Sequence, residues 1–377
     1  MRRILTALLL LLLAACQTLN HPLETAMFPT FTPNPVPTRL IGYYPSWVSS
    51  RGYLPSSIPA GLLTHIFYAF AMPNVHGNCV LDNPTAAEDN LPGLTDLRKL
   101  NPALKIILSI GGGSNLDVPF ATVTATPEAM ATFSASCITL LTKWGLDGLD
   151  LDWEFPKAEQ KQAYTALLTE MRRQLNQRAI LDGRPYLLTN AVPAGPWAMA
   201  RMEIAKVTPL LDWYNLMTYD FYGTWSAITG HNAPLLTNPA DPQGLSADTT
   251  VLAYLAAGVP SNKLVLGVPF YGRAWEGAGS QNAGLFQTYT GPFMNHTMEY
   301  QEIVSKYLPT FERHWDDASK VPWLYDPQGQ VIISYDDSDS LRLKAFYVRQ
   351  RALGGMMIWQ LAGDDAQHTL LNTLANP

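Results

Sequence analysis

The sequence is short of charged side chains, which form only 15% of its 377 residues. Its formal net charge is −6, and its basic residues form no cluster longer than a dipeptide such as Arg2-Arg3 or Arg172-Arg173. Binding to nucleic acid needs a concentrated basic face, so we expect no nucleic-acid partner. Hydrophobic residues make up 47% of the chain, which is typical of a folded protein rather than a disordered one.

Cysteine is also scarce, and the first of the three cysteines follows a leader-like segment. The basic pair Arg2-Arg3 precedes an apolar run too short to cross a bilayer as a mature helix, a pattern typical of a secretory signal. The ending Leu13-Ala14-Ala15-Cys16 resembles a bacterial lipobox, in which cleavage leaves a lipid-bearing cysteine. We expect residues 1–15 to be a signal peptide and the mature protein to be an exported lipoprotein at the cell envelope, held on the membrane only by lipid at Cys16. An ordinary signal with an incidental cysteine is the alternative.

Residues 16–38 are expected to form a lipidated tether, because 17–38 contain five prolines and no apolar period. The remaining cysteines, Cys79 and Cys137, leave two interpretations open. An exported protein can keep a disulfide, and two is an even number. Buried thiols, however, behave as small apolar groups and need no bond.

Eight short β-rich runs occupy the rest of the chain: 39–47, 63–71, 105–114, 145–155, 186–195, 211–221, 263–272 and 354–362. Helical periodicity separates several of them, as at 127–144, 157–178 and 339–353. Alternating strands and helices predict a parallel sheet, and eight repeats predict a closed (β/α)₈ TIM barrel over residues 39–377. Extra strand-like pieces at about 274–337 predict a small α+β insertion between the seventh and eighth strands.

The fourth run contains DGLDLDWE at 147–154, in which acidic and apolar residues alternate. Side chains alternate faces along a strand, so Asp150, Asp152 and Glu154 share one face. The other face carries Leu151, Trp153 and Phe155. In a barrel we expect the apolar set to pack outward against helices and the acids to point inward, toward the rim where barrel enzymes have their sites. Asp147 has the opposite parity and is expected to serve the turn into the strand.

Neighbours on the same face of a strand lie about 7 Å apart, so three acids in a partly dry barrel repel one another. Repulsion and burial should raise at least one pKa and leave protons shared along the row. Glu154, the last and longest of the three, is the candidate general acid. A calcium loop would instead need small polar residues and a turn glycine between the acids. An exposed edge strand would leave Leu, Trp and Phe in water unless helices covered them.

These residues resemble those of family 18 of the glycoside hydrolases, the chitinase family, over about residues 39–365. DGLDLDWE matches the family's DxxDxDxE signature, SIGGG at 109–113 matches SxGG, and MTYDF at 217–221 matches MxYD. GVPFYGRAW and MMIWQLAGDD fit its seventh and eighth strands. The insertion resembles that of subfamily A members. A phosphate loop at SIGGG is disfavoured because the GxxxxGK[ST] frame is missing.

The resemblance implies a substrate-assisted, retaining reaction without a protein nucleophile. Glu154 would be the acid and base, Asp152 would orient the substrate's acetamido group, and Asp150, bonded to Ser109, would support Asp152. Tyr219 would donate to the acetamido oxygen. The resemblance also implies a set of sugar contacts: Tyr43, Phe70, Ser109, Met217, Asp220, Trp225, Arg273 and Trp359. For Trp47 and Trp275, packing and sugar contact remain equally open.

One position departs from the family pattern. Many members have Trp directly after SxGG, where it stacks on a sugar on the leaving-group side, and here that residue is Gly113. A stacked ring contributes binding energy. The affinity for leaving-group sugars and the cleavage pattern are therefore open, whereas the proton donor is present.

The expected activity is endo-acting, chitinase-like hydrolysis of β-1,4-linked N-acetylglucosamine polymers or oligomers by a monomer that needs no metal or cofactor. An endo-β-N-acetylglucosaminidase acting on glycoprotein glycans, or a hydrolase of peptidoglycan-related glycans, would use the same acetamido chemistry. A chitin-binding lectin is the alternative from another class, and the presence of Glu154 disfavours it.

Overall fold

Parallel strands close into a barrel in the computed structural model, which describes residues 39–113 and 116–376. The signal peptide, Cys16 and the tether predicted at 17–38 lie outside the described residues. In chain order the strands are β1 (Arg39–Pro45), β2 (His65–Pro73), β3 (Cys79–Leu81), β4 (Lys105–Gly112), β5 (Gly148–Trp153), β6 (Leu187–Pro193), β7 (Trp213–Met217), β8 (Leu264–Pro269), β9 (Tyr271–Glu276), β10 (Gly291–Glu299), β11 (Glu312–Asp316), β12 (Val321–Asp326), β13 (Val331–Ser334) and β14 (Gly355–Trp359).

The barrel consists of β1, β2, β4, β5, β6, β7, β8 and β14, all paired in parallel. The first strand, β1, pairs with both β2 and β14, and these two pairings close the ring. The predicted (β/α)₈ fold is therefore confirmed. The short strand β3 pairs antiparallel with the C-terminal end of β2.

Helices surround the strands, and the sequence marks several of their ends. In chain order they are α1 (Pro84–Asp96), α2 (Asp117–Val123), α3 (Pro127–Lys143), α4 (Lys161–Asp182), α5 (Pro196–Met199), α6 (Ile204–Val207), α7 (Ala247–Ala256), α8 (Tyr300–Glu302), α9 (Ser338–Gln350) and α10 (Thr369–Ala375). The Thr126 side chain caps α3 by accepting a bond from Ala129 N, ahead of a proline that suits the first turn. Gly183 follows the last residue of α4 and takes the left-handed conformation, φ 65°, in which many helices end.

The two faces of β5 separate as their alternation predicts. Leu151 and Trp153 are buried outside the barrel, where the Trp153 ring stacks on Phe120 with centroids 4.5 Å apart and planes 6° apart. The Tyr164 ring of α4 lies 5.9 Å away. Burying such aromatic rings stabilises the contact between strand and helices. The same packing directs the alternate residues of β5 into the barrel.

An antiparallel sheet is inserted between β8 and β14, with strand order β10-β9-β13-β12-β11. The predicted run 263–272 spans the end of β8 and the start of β9, which belong to different sheets. Arg273, predicted on the seventh barrel strand, therefore lies on β9 of the inserted sheet. Trp275 is fully buried in that sheet between the rings of Tyr289 and His296, so it serves packing.

Within the ranges 39–113 and 116–376, no helix combines the length and the apolar character that crossing a membrane requires.

Candidate active site

Asp150 lies fully buried in the barrel and is held by four hydrogen-bond donors. Its Oδ2 accepts from the Tyr43 hydroxyl at 2.8 Å and from Ser109 Oγ at 2.9 Å. Its Oδ1 accepts from Thr189 Oγ1 at 2.6 Å and from Asn215 Nδ2 at 3.2 Å. Burial raises the pKa of Asp150, and these donors oppose that rise. Asp150 is therefore a fixed, satisfied group beneath the site.

Asp152, two residues further along β5, is only 4% exposed and less well satisfied. Its Oδ1 has no hydrogen-bond partner among the described residues. Burial raises its pKa well above the usual range, and the neighbouring charges of Glu154 and Asp150 raise it further. A buried acid with an unpaired oxygen is costly unless it is protonated or meets a donor. Asp152 is therefore suited to receive a polar group of a ligand.

Glu154 follows the last residue of β5 and is partly exposed. Burial raises the pKa of its carboxyl to about 7, and the nearby charge of Asp220 contributes to the rise. A carboxyl with such a pKa is protonated in much of the population near neutral pH and can donate that proton. The predicted row of coupled acids is thus present, with Glu154 at its open end.

A cavity of about 650 Å³ opens above this row. Most of the predicted site residues line it: Tyr43, Phe70, Asp152, Glu154, Met217, Tyr219, Asp220, Trp225, Arg273 and Trp359. Ser109 and Asp150 do not line it but lie beneath, bonded to each other. The fold thus brings together residues from the ends of several barrel strands and from the inserted sheet.

An ion pair joins the loop after β7 to the inserted sheet at the edge of the cavity. Arg273 on β9 donates from Nε to Asp220 Oδ1 at 2.8 Å, with Nη2 at 2.6 Å from the same oxygen. The Tyr271 hydroxyl donates to that oxygen at 2.8 Å. Beside them, burial raises the pKa of Tyr219 well above its usual range, so its hydroxyl keeps a proton that it can donate.

Aromatic rings form one wall of the cavity. Trp359, at the end of β14, stacks on Phe70 with centroids 5.8 Å apart and planes 27° apart, and Tyr43 meets it edge-on at 5.4 Å. Trp47 is 42% exposed and lies 6.5 Å from Trp359, beside a neighbouring cavity that also includes Arg273. Trp47 is thus open to a ligand, unlike Trp275.

At Gly113 the cavity lacks the ring expected after SxGG. Gly113 is exposed, and a Cβ there would lie 3.7 Å from both oxygens of Glu154. Trp225 is 62% exposed, with the Arg273 guanidinium carbon 5.3 Å from its ring centroid. The cavity lining therefore includes the exposed Trp225 ring, whereas Gly113 adds no ring to it.

Sequence reasoning missed one residue of the cavity lining and placed another wrongly. Phe155 was expected on the outward face of β5, but the strand ends at Trp153 and Phe155 lines the cavity. Its ring meets Trp197 edge-on at 5.6 Å. Trp197 also lines the cavity, is 52% exposed and lies under Arg201, whose guanidinium carbon is 4.7 Å from the ring centroid. Its position just after the run 186–195, at the rim of the barrel, was the available signal.

The cysteines lie apart from this cavity. Cys79 and Cys137 are buried free thiols, and burial together with the neighbouring Cys79 thiol raises the pKa of Cys137. The structure thus has two unbonded thiols, and the disulfide, one of the two interpretations of the sequence, stays a prediction. In the ranges 39–113 and 116–376, no cluster of His, Cys, Asp or Glu side chains is arranged to hold a metal ion.

The chain is similar to known proteins over most of its length. A family model described as "Glycosyl hydrolases family 18" matches residues 39–364. Chitinase A1 of Niallia circulans is 36% identical over 89% of this chain, which spans 58% of that relative's length. The solved structure of chitinase ChiA74 from Bacillus thuringiensis has a TM-score of 0.83 at 32% identity, covering 89% of this chain and 69% of that one. A Cycas revoluta chitinase, solved in complex with (GlcNAc)3, has a TM-score of 0.82 at 30% identity and covers 89% of this chain and 98% of its own.

Proposed function

The chain belongs to family 18 of the glycosyl hydrolases and is therefore a glycoside hydrolase, and we propose that it is an endo-acting, chitinase-like enzyme. Its substrates would be β-1,4-linked N-acetylglucosamine polymers or oligomers. The observation that carries the proposal is that two acids line the same cavity: Glu154, with a pKa of about 7, and Asp152, whose Oδ1 lacks a hydrogen-bond partner among the described residues. Similarity to Chitinase A1 and to a chitinase bound to (GlcNAc)3 supports this substrate class.

The proposed reaction begins with proton transfer from Glu154 to the glycosidic oxygen, whose bond to the anomeric carbon then breaks. The carbonyl oxygen of the substrate's own N-acetyl group attacks that carbon and forms an oxazolinium ion. Glu154, now ionised, removes a proton from water, which opens the oxazolinium and returns the sugar with retained configuration. Both steps use one carboxyl, so its pKa must lie near the working pH.

Asp152 and Asp150 have supporting roles in this proposal. The free Oδ1 of Asp152 would accept the acetamido N–H and stabilise the positive charge that develops there. Asp150 adds a nearby negative charge and keeps its place through its four donors. The Tyr219 hydroxyl would donate to the acetamido oxygen.

The remaining contacts position the sugar ring. Trp359 offers a flat apolar surface beneath the ring, and Phe70 holds that surface by stacking on it. Asp220 and Arg273 would bind hydroxyls and favour a distorted ring. The antiparallel sheet that carries Arg273 supports the further proposal that the chain belongs to subfamily A of the family.

A product time course on N-acetylglucosamine oligomers of several lengths tests this function. The wild-type chain should cut internal linkages, while Glu154→Gln should keep binding and lose most turnover. Parallel digestion of a glycoprotein and of peptidoglycan separates the other acetamido substrates, because the preferred one will be cut fastest. Binding of oligomers without product between about pH 4 and pH 8 would overturn the proposal in favour of a lectin.

We also propose that the protein is an exported monomer, anchored at the cell envelope through lipid on Cys16. The support is the order of basic pair, apolar run and Leu13-Ala14-Ala15-Cys16. Metabolic labelling with a fatty acid should mark the wild-type chain and not the Cys16→Ala variant. Equal labelling of the two chains would overturn the proposed lipid anchor at Cys16. Analytical sedimentation of the protein measures its mass in solution and so tests whether it is a monomer.

A further inference from the structure

Asn232 lies buried where the loop after β7 meets the inserted sheet, and it has no solvent exposure. Its side-chain Oδ1 accepts from the backbone N–H of Asp220 at 3.1 Å, and its carbonyl accepts from the N–H of Phe221 at 3.1 Å. Its Nδ2 donates to the Tyr271 carbonyl at 3.3 Å, and its own N–H donates to Ser334 Oγ at 2.8 Å. One residue therefore joins the barrel rim to β9 and β13.

The backbone of Asp220 needs such support. Asp220 has φ 58°, in the left-handed region that a non-glycine residue keeps only where its surroundings hold it. The hydrogen bond from Asp220 N–H to Asn232 Oδ1 fixes the peptide bond that precedes Asp220. Tyr271, whose hydroxyl holds the Asp220 carboxylate, is bound through its carbonyl by the same amide. Asn232 thus contacts both the strained backbone and a residue that orients the acid.

We propose that Asn232 is a positioning residue for Asp220, which it holds in register with the inserted sheet so that the carboxylate meets the sugar. This inference rests on the proposed function, because it assigns a role in that hydrolysis. It gives the inserted sheet a part in the reaction beyond carrying Arg273. Removal of the amide should let Asp220 relax away from its left-handed conformation.

Relaxation of Asp220 should be visible at Glu154. Charged or titratable groups near Asp220 are Glu154, Tyr219, Tyr271, Arg273 and His296. The Asp220 charge raises the pKa of Glu154, so displacement of that charge should lower it. A lower pKa means that the acid loses its proton at lower pH. The basic limb of the kcat/KM profile reports this, since it follows the free enzyme's acid.

The test compares Asn232→Ala with Asn101→Ala. Asn101 is a matched control, because its side-chain amide also bonds backbone groups: its Nδ2 donates to the carbonyls of Ala60 and Leu63, both at 2.9 Å, near the opposite end of the barrel. For Asn232→Ala we expect kcat on chitin oligomers to fall about tenfold with little change in KM, as for an interaction that acts mainly in the transition state. The basic limb should move to lower pH. The control should lose only thermal stability.

Asn232→Asp tests the same inference if the alanine variant folds poorly. A protonated carboxyl can accept from Asp220 N–H and donate to the Tyr271 carbonyl, whereas a carboxylate can only accept. Its activity relative to wild type should therefore be greatest at acidic pH and fall as pH rises. A ratio independent of pH, or an alanine variant that behaves like the Asn101 control, would overturn the role. A wild-type chain without activity on any oligomer would overturn the proposed function itself.

Discussion

Replacing Glu154 with Gln should stabilise the fold at alkaline pH while removing most of the activity. The cause is the cost of ionising a carboxyl that burial and the Asp220 charge disfavour. Glutamine has nearly the same shape and cannot ionise, so the variant escapes that cost. The loss of turnover follows from the loss of the proton that the leaving oxygen needs.

The magnitude follows from the pKa. The folded-state value of about 7 lies well above the ordinary value of 4.5. At 1.36 kcal/mol for each pKa unit, the full effect is about 3 kcal/mol. Because the folded-state pKa is the higher one, the stability associated with protonated Glu154 is fully present below about pH 4.5. This contribution to the free energy of unfolding is lost as pH rises through about 7. The Glu154→Gln variant, which cannot ionise, should keep it at that pH and above.

Urea unfolding at about pH 4.5 and about pH 8.5 measures this difference. Near the lower pH, wild type and Glu154→Gln should have similar midpoints, and near the higher pH the variant should have the higher midpoint. Glu159→Gln is the matched control, since Glu159 is exposed five residues along the chain and should show no such dependence. The reasoning would be refuted by a Glu154→Gln midpoint that differs from wild type equally at both values.

Three further predictions concern the reaction and its leaving-group side. Asp152→Asn should lower kcat on oligomers by about a hundredfold or more, because the amide cannot supply the negative charge that stabilises the acetamido group; unchanged kcat would exclude acetamido participation. Gly113→Trp should fold, since the nearest atoms to a Cβ there are those of the Glu154 carboxyl, at an ordinary contact distance of 3.7 Å. A new stacking ring worth ~1 kcal/mol should lower KM for long oligomers about fivefold, with Gly113→Ala as control. Trp197→Ala should raise KM about fivefold for oligomers long enough to reach its exposed ring at the cavity and little for shorter ones, and an equal rise for all lengths would refute a contact with one distant sugar.

Much of the candidate site was predictable because it lies within single strands. Alternation along β5 placed Asp150, Asp152 and Glu154 on one face, and the structure has the first two inside the barrel and the third at its rim. That reasoning failed at Phe155, where the strand had already ended. Periodicity predicts faces only while the backbone stays extended, and it does not mark the residue at which it stops.

Burial separated two tryptophans that the sequence could not distinguish. Trp275 is enclosed by the inserted sheet, and Trp47 is 42% exposed beside Trp359. Trp47 ends the predicted run 39–47, and Trp275 lies three residues after the run 263–272. Their difference depends on which distant segments cover them, and local pattern holds no information about that.

The sequence by itself determined the barrel and the acidic row and singled out Glu154 as the candidate proton donor, because strand alternation and the order of motifs are properties of neighbouring residues. Only the tertiary structure decided how Asp150 finds four donors from different strands, and how Arg273 reaches Asp220 from another sheet. It also decided that Asn232 holds Asp220 and that Trp197 lines the cavity. These contacts join residues that are far apart in the chain, and closure of the barrel and docking of the inserted sheet bring them together.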